Sequence, residues 1–168
     1  MFNKLSALLA VVLLVPICAA DFMQAMDGSC PTAATIVWNI TGTASTSGWL
    51  GFSAMSPGSD RATNVKDKNG IIQFNLNITT DGKVIMNDKI KNLGWRGAKK
   101  RIEKTQSFFT AGNPFSFTIT FVKAQNYQWT LAASGFTSAS MKTRLKGRSM
   151  PKYSVTTGSI ASTTLQAC

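Results

Sequence analysis

The segment FSFTITF at residues 115–121 alternates apolar and polar side chains without interruption. Because successive side chains of a β-strand point to opposite faces, this period of two predicts a strand with one buried and one solvated face. The same alternation occurs in three other runs, at residues 36–41, 72–77 and 127–131. These four segments are the strongest local signals in the chain, and all four predict strands.

Turn-forming residues separate the alternating runs. Gly, Pro, Asn and Asp cluster at residues 56–58, 67–70, 80–82 and 112–114, where they favour tight reversals of the chain. No stretch combines a sustained helical period with a cap and a stop signal. We therefore predict an all-β, antiparallel, single-domain sandwich or barrel.

The first twenty residues have the character of a secretory signal peptide. Lys4 precedes the apolar run at residues 5–15, and the small residues Ala19 and Ala20 follow it. The run is short for a membrane span, so an uncleaved anchor is the weaker interpretation. We predict a signal peptide at residues 1–20, a folded domain at residues 21–168 and an extracellular location.

Secretion would expose the chain to disulfide formation and to N-glycosylation. Cys30 and Cys168 remain after signal removal, and in an oxidising compartment they are expected to form a disulfide, with free or intermolecular thiols as the alternative. Asn39 and Asn77 each begin an Asn-x-Thr acceptor motif for N-glycosylation. Both glycans and the disulfide are predictions from sequence.

The composition argues against an enzyme. The 168 residues include no His and only seven Asp and Glu, which leaves no Ser-His-Asp or Cys-His arrangement and little material for paired carboxylates. The three Cys cannot supply a four-thiolate zinc site. We predict no catalytic residues, no metal and no cofactor.

Several segments occur in an order that resembles the carbohydrate-recognition domain of galectins, over residues 33–165. They are GIIQFNLNI (70–78), KVIMND (83–88), GWRGAKKR (94–101), FTAGNPFSFTIT (109–120), MKTRL (141–145) and VTTGSIASTTL (155–165). The resemblance implies a two-sheet jelly-roll sandwich that binds β-galactosides without catalysis. The first four segments are therefore expected to be strands.

The strand at residues 72–77 is central to this resemblance. Alternation predicts that Ile72, Phe74 and Leu76 face the core. The opposite, solvated face is then formed by Gln73, Asn75 and Asn77. Asn is depleted in strands, so two in one row indicate a binding surface, although a half-solvated strand alone would show the same alternation.

The galectin contact set maps only partly onto this sequence. The expected carbohydrate-binding residues are Gln73, Asn75, Asn77, Asn87, Trp95, Lys99 and Arg101. The resemblance implies that Trp95 is a stacking platform, with a core or rim aromatic as the alternative. The family's Glu falls on Ala98 or Lys99 and its following Arg on Lys100 or Arg101. We therefore expect the carboxylate–arginine pair to be lost and galactoside binding to be weak or altered.

A basic cluster supports a second hypothesis. Residues 83–104 contain eight Lys and Arg against two acids, and the whole chain has a formal net charge of +11. Such a field favours sulfated or acidic glycans and anionic surfaces, although a solvated basic face would look the same. Nucleic acid fits the charge but not the extracellular compartment. The expected partners are β-galactoside-like or anionic glycans.

Overall fold

A computed structural model describes residues 22–25, 35–55, 71–90, 93–144, 153–158 and 160–167. In these residues the chain forms twelve β-strands and no helix. The strands are β1 Phe22–Ala25, β2 Thr35–Ala44, β3 Trp49–Met55, β4 Ile72–Thr79, β5 Lys83–Ile90, β6 Gly94–Trp95, β7 Ile102–Thr105, β8 Pro114–Val122, β9 Gln128–Ala133, β10 Phe136–Lys142, β11 Tyr153–Gly158 and β12 Ile160–Ala167.

The strands form two antiparallel sheets. One has seven strands in the order β1-β11-β3-β4-β5-β6, with β7 paired to the same strand β5 beside β6. The other has five strands in the order β10-β9-β8-β2-β12. The antiparallel all-β fold predicted from the alternating runs is confirmed, and so is the two-sheet sandwich that the galectin resemblance implied.

Aromatic side chains from both sheets fill the space between them. Trp129 of β9 stacks on Phe74 of β4, with ring centroids 4.5 Å apart, and on Trp38 of β2 at 5.5 Å. Phe52 of β3 meets the edge of Trp38 at 5.5 Å. Stacked and edge-to-face aromatic pairs add to the stability given by apolar burial. This cluster is the core that holds the two sheets together.

Alternation correctly identified which side chains face this core on β2 and β8. The buried positions are Ile36, Trp38, Ile40, Phe115, Phe117, Ile119 and Phe121. On β9 the alternation holds for Trp129 and Leu131, but the prediction that Tyr127 belongs to the strand is wrong. Tyr127 and Asn126 have positive φ values of 57° and 60° and form the turn before β9. Tyr127 still packs against the core from that turn.

The alternation breaks on β4. The register against β5 shifts between Ile72 and Asn75, because β4 carries one extra residue there. Ile72 consequently leaves the main core and forms a separate small cluster with Met55, and Gln73 is only 4% exposed. The predictions that Ile72 faces the core and that Gln73 shares the solvated face are therefore wrong.

The segment 94–101, expected to be one strand, is divided. β6 ends at Trp95, and Lys100 and Arg101 donate backbone hydrogen bonds to the carbonyl of Gly97, which closes a turn. The chain then enters β7, a strand that the sequence did not predict, and pairs with β5. The strand predicted at residues 115–121, after the turn at 112–114, is confirmed as β8.

Several sequence predictions concern residues that the structure does not describe. The signal peptide at residues 1–20 and both disulfide cysteines, Cys30 and Cys168, lie outside the described residues. Within the part of the chain that is described, no helix is long and apolar enough to cross a membrane.

Candidate functional site

Polar side chains form rows across the face of the seven-stranded sheet that points away from the core, here called the outer face. Ser53 lies opposite Asn75, which lies opposite Asn87. In the next row Gly51, Asn77, Ile85 and Glu103 lie opposite one another on β3, β4, β5 and β7.

Directly opposite residues of antiparallel strands point to the same side of a sheet. On β4 these residues alternate with the core residues Phe74 and Leu76, and on β5 with Val84 and Met86. The rows therefore lie on the outer face. Its exposed or partly exposed polar residues, here called the polar surface, are Asn75, Asn77 and Glu103, whereas Ser53 is buried and Ile85 is apolar.

The three asparagines in these rows differ in how many hydrogen bonds their side-chain amides make within the protein. Ser53 Oγ donates to Asn75 Oδ1 at 3.0 Å, and Asn75 remains partly exposed. Asn87 is only 8% exposed; its Oδ1 accepts from the Asp88 backbone N–H at 2.9 Å, and its Nδ2 contacts the Arg96 carbonyl oxygen at 3.5 Å. The side-chain amide of Asn87 therefore bonds mainly to backbone groups of Asp88 and Arg96.

Unlike Asn87, Asn77 has a side-chain oxygen that accepts no hydrogen bond from the described residues. This Oδ1 atom is also buried. A buried acceptor without a donor costs about 1 to 3 kcal/mol. The site therefore contains one amide oxygen whose hydrogen-bonding capacity is unused.

Trp95 lies at one end of the outer face, in a row with Lys89 and Ile72. The indole is partly buried against Ile72 and Met55, and the Lys89 ammonium lies 6.0 Å from its ring centroid. The extra residue in β4 brings Ile72 into this row. Trp95 is therefore a half-buried aromatic at the edge of the polar surface, and its role as a stacking platform stays a prediction.

A buried carboxylate holds the turn that carries Trp95. Asp88 accepts hydrogen bonds from Arg96 Nη2 at 2.7 Å and from Arg144 Nε at 2.6 Å, and its side chain is fully buried. Arg144 Nη2 also donates to the Gly94 carbonyl oxygen at 2.9 Å. These bonds join β5, β6 and the segment after β10, so that the position of Trp95 depends on Asp88.

The same contacts make stability depend on pH. Burial raises the pKa of Asp88, but hydrogen bonds from Arg96 and Arg144 and the charge of Arg96 outweigh it, so the net pKa lies below its ordinary value of 3.8. A depressed pKa stabilises the fold above the unfolded-state value, and the contribution is lost as pH falls through the folded-state value. We expect acid unfolding to begin below about pH 4. Urea unfolding of wild type and Asp88→Asn between pH 2 and 7 checks this.

Asp81→Asn is the control for this pH profile. The pKa of the Asp81 carboxyl is also lowered, chiefly by the hydrogen bond from Thr79, but Asp81 is exposed to solvent. The acid limb of the profile is the fall in the free energy of unfolding at low pH. We expect Asp81→Asn to leave this limb nearly unchanged and Asp88→Asn to flatten it. Parallel profiles for wild type and Asp88→Asn would contradict the assignment of this limb to Asp88.

A carboxylate–arginine pair is present on the outer face, at positions other than those to which the galectin resemblance assigned the family's pair. Arg101, immediately before β7, directs Nε and Nη2 to Glu103 Oε2 at 3.1 and 2.6 Å. The order is base then acid, the reverse of the galectin pattern. Sequence spacing pointed to Ala98 or Lys99 because it counted from Trp95 through a turn. The available signal was the Arg-x-Glu spacing, which places both side chains on one face of a strand.

A second aromatic borders the polar surface, and the sequence interpretation missed it. Trp49, the first residue of β3, is 36% exposed and lines a groove of about 590 Å³. The groove is lined by Gly48, Trp49, Asn75, Asn77, Thr79, Thr80 and Asp81. Asn75 and Asn77 thus belong to both the polar rows and the groove.

Three arginines near the β6 and β7 edge of the sheet form ion pairs. Arg96 and Arg144 pair with Asp88, and Arg101 pairs with Glu103. Among the predicted contact residues Lys99 lies in the exposed turn before β7, as does Lys100. These ion pairs use the two acids already counted against the eight bases of residues 83–104, so the segment keeps a formal net charge of +6.

The two sequons occupy different surfaces. Asn39 is exposed on β2, in the other sheet, and accepts a hydrogen bond from Thr118 Oγ1 at 3.2 Å. Asn77 lines the groove beside Trp49. A glycan on Asn77 would occupy the groove, whereas a glycan on Asn39 would leave the outer face open.

Comparisons with known proteins identify the fold. No protein-family model matches the chain, and no curated protein matches it by sequence. Among solved structures, sheep galectin-11 in complex with glycerol superposes with a TM-score of 0.63 at 16% identity, covering 90% of this chain and 98% of that one. CG-16, a homodimeric agglutinin from chicken liver, gives 0.59 at 12% identity, covering 88% and 100%. Congerin II liganded with lactose and MES gives 0.56 at 12% identity, covering 88% and 99%. The chain has a galectin-like fold.

Proposed function

We propose that this galectin-like chain is a secreted, non-catalytic carbohydrate-binding protein, and that its ligand lies on the outer face of the seven-stranded sheet. The observation that carries the proposal is the polar surface itself. Asn75, Asn77 and the Arg101–Glu103 pair face one side, and aromatic rings border it at both ends.

This surface has the chemistry that a sugar requires. A pyranose offers an apolar C–H face to an aromatic ring, and its hydroxyls both donate and accept hydrogen bonds. Amides can satisfy both kinds of bond, and an arginine held by a carboxylate adds charge-assisted donors. The lactose named with congerin II makes a β-galactoside the first ligand to test here.

Binding to a simple galactoside should be weak. Asn87 is occupied by backbone groups, Gln73 is buried, and Lys89 lies near the ring of Trp95. Asn87, Gln73 and Trp95 were expected to contact the sugar, and each is therefore partly or wholly engaged within the protein. Asn75, Asn77 and the Arg101–Glu103 pair are left as the principal polar contacts.

Secretion and modification complete the proposal. The signal-like segment at residues 1–20 supports export, and an exported chain would meet the conditions for a Cys30–Cys168 disulfide and for glycosylation at Asn39. The exposed position of Asn39 on β2 is compatible with a glycan. Use of the Asn77 sequon would compete with ligand binding.

Anionic glycans are the second candidate ligand class. Lys99 and Lys100 are exposed in the turn before β7 and would favour a sulfated or acidic sugar. Binding of this kind falls steeply with added salt, because exposed charges are screened over about 8 Å at physiological ionic strength. A neutral galactoside should respond little to salt.

Glu103→Gln separates the two candidates. If the Arg101–Glu103 pair contacts a neutral sugar, the variant should bind lactose roughly 10- to 100-fold more weakly, because a charge-assisted hydrogen bond is lost. Under the anionic alternative the same variant should bind heparin more tightly, because an acid has been removed. Isothermal titration calorimetry with lactose and with heparin measures both.

Lys104→Ala is the matched control on the same strand. It removes a charge without disturbing the pair, since Lys104 directs its Nζ toward the Ser138 carbonyl oxygen at 3.4 Å. Lactose affinity should survive this change. Lactose binding that is unaffected by Glu103→Gln, together with heparin binding that Glu103→Gln tightens, would favour the anionic alternative and reject the neutral site.

A further inference from the structure

We propose that a second groove, between β7 and β10 and here called the side groove, binds the oxyanion of a sulfate ester or a phosphate monoester. Its volume of about 500 Å³ falls within the usual range for small-ligand sites. The inference goes beyond the proposed function, because the side groove shares no lining residue with the polar surface or with the groove at Trp49. The side groove is lined by Lys104, Thr105, Gln106, Ser107, Gly135, Phe136 and Thr137.

The side groove lies where the edges of the two sheets meet. Among the described strands, β7 pairs with β5 alone and β10 pairs with β9 alone. Lys104 lies opposite the core residue Val84 in the β5–β7 register, so its side chain points away from the outer face. Its Nζ donates to the carbonyl oxygen of Ser138 on β10 at 3.4 Å. Lys104 therefore connects the two sheets across the side groove.

The positive charge of Lys104 has no acidic partner. The seven described lining residues include no Asp or Glu, and Lys104 forms no ion pair with the part of the chain that the structure describes. The adjacent Glu103 lies on the outer face, where it pairs with Arg101. An ammonium has three donor protons, and Ser138 uses one of them. The remaining donors favour an anionic ligand, because hydrogen bonds between charged groups are the stronger ones.

Hydroxyl groups in the side groove supply further donors. Thr105, Ser107 and Thr137 are exposed, and their hydroxyls make no hydrogen bond with the residues described here. A sulfate or phosphate ester presents three terminal oxygens that accept hydrogen bonds, which an ammonium and hydroxyls can satisfy together. A neutral sugar would use the hydroxyls but leave the ammonium without a counter-charge.

Both walls of the side groove are held by contacts within the protein. Gln106 Nε2 donates to the carbonyl oxygens of Thr79 and Phe109 at 2.9 and 3.0 Å, and its Oε1 accepts from the Phe109 N–H at 2.8 Å. On the other wall, the Phe136 ring packs edge-on against Phe108, with ring centroids 5.2 Å apart. A site that is formed before its ligand arrives loses little entropy on binding.

A β-bulge in β10 is a second, independent feature of the side groove. The β9–β10 register shifts between Phe136 and Ala139, because β10 carries one extra residue there. Bulges redirect side chains at sheet edges and are over-represented next to functional sites. This bulge contains Thr137, which lines the side groove, and Ser138, which accepts from Lys104. The irregularity therefore falls at the place where the ligand would bind.

An NMR titration tests the proposal. The isotope-labelled protein is titrated at physiological ionic strength with glucose 6-sulfate, with glucose 6-phosphate and with glucose. We expect saturable shifts of the backbone amides of Ser107, Gly135 and Thr137 with an ester and none with glucose, and the ester that produces them identifies the oxyanion as sulfate or phosphate. Absence of these shifts with both esters, or equal shifts with glucose, would overturn the proposal.

Three variants locate the binding. Lys104→Met removes the ammonium but keeps the length of the side chain, and it should weaken ester binding roughly tenfold because a charge-assisted hydrogen bond is lost. Thr137→Val removes one hydroxyl at nearly constant volume and should weaken binding roughly threefold. Lys100→Met is the matched control in the exposed turn before β7, and it should change the affinity less than about twofold, because salt screens exposed charges over about 8 Å.

The controls separate this proposal from the proposed function. Equal losses for Lys104→Met and Lys100→Met would assign ester binding to the general positive charge of the chain and reject the side groove. Lactose affinity should be the same in all three variants, because none of the three residues belongs to the polar surface. A wild-type protein that binds an ester but not lactose would reject the proposed galactoside ligand and leave the side groove supported.

Discussion

Replacing Asp88 by alanine is expected to lower the free energy of unfolding by about 3 to 5 kcal/mol. The Asp88 side chain is fully buried and accepts five hydrogen bonds, from Arg96, Arg144 and Thr143. Removing it leaves two guanidinium groups without their carboxylate, and the desolvation of the unpaired charges is the main cost. Equilibrium urea unfolding of wild type and Asp88→Ala at pH 7 measures the difference.

Asp81→Ala is the control for this prediction as well. Asp81 forms an ion pair with Lys83 at 3.4 Å, but both side chains are exposed. An exposed pair contributes little to stability, because water and salt screen the two charges. Equal losses for Asp81→Ala and Asp88→Ala would show that the Asp88 cluster has no special structural role.

Asp88 also links stability to the candidate site. Its arginine partners bind the carbonyl oxygens of Gly94 and Asp88, and Arg96 also donates to the Lys142 carbonyl oxygen. The Trp95 end of the outer face is thus held by charge-assisted bonds to buried groups. The Trp49 end is held by backbone hydrogen bonds and by strand packing.

Alternation predicted strands well wherever one sheet face packs on the core and the other meets solvent. β2 and β8 satisfy this condition, and their buried residues were identified correctly. β3 does not, because every residue after Trp49 is buried on both faces and the period of two disappears. The strand that carries Trp49 was therefore missed, and Trp49 was missed with it.

The remaining errors arise from pairing between strands, which local sequence does not determine. The extra residue in β4 matters only against the register of β5, and it moves Ile72 and Gln73 out of their predicted places. Likewise, Arg101 and Glu103 become a pair on the outer face because β7 adds to β5. Asn75 and Asn77 were placed correctly because they lie beyond the shift, where the alternation is intact.

The close contact between β11 and β3 gives the last prediction. Gly158 has a φ of +143°, and a Cβ added there would lie 2.0 Å from the Trp49 carbonyl oxygen and 2.9 Å from Leu50 Cα. These neighbours are backbone atoms that cannot rotate away, so Gly158→Ala must separate β11 from β3. We expect a loss of about 3 to 5 kcal/mol in the free energy of unfolding from strain and overpacking together.

Gly135→Ala distinguishes the steric part of this effect from the conformational part. Gly135 also has a positive φ, +69°, but a Cβ there would meet nothing within 4 Å. It should cost only the backbone strain, about 1 to 2 kcal/mol. Equal stabilities for the two variants in urea unfolding would mean that β3 and β11 do not approach as closely as the structure shows.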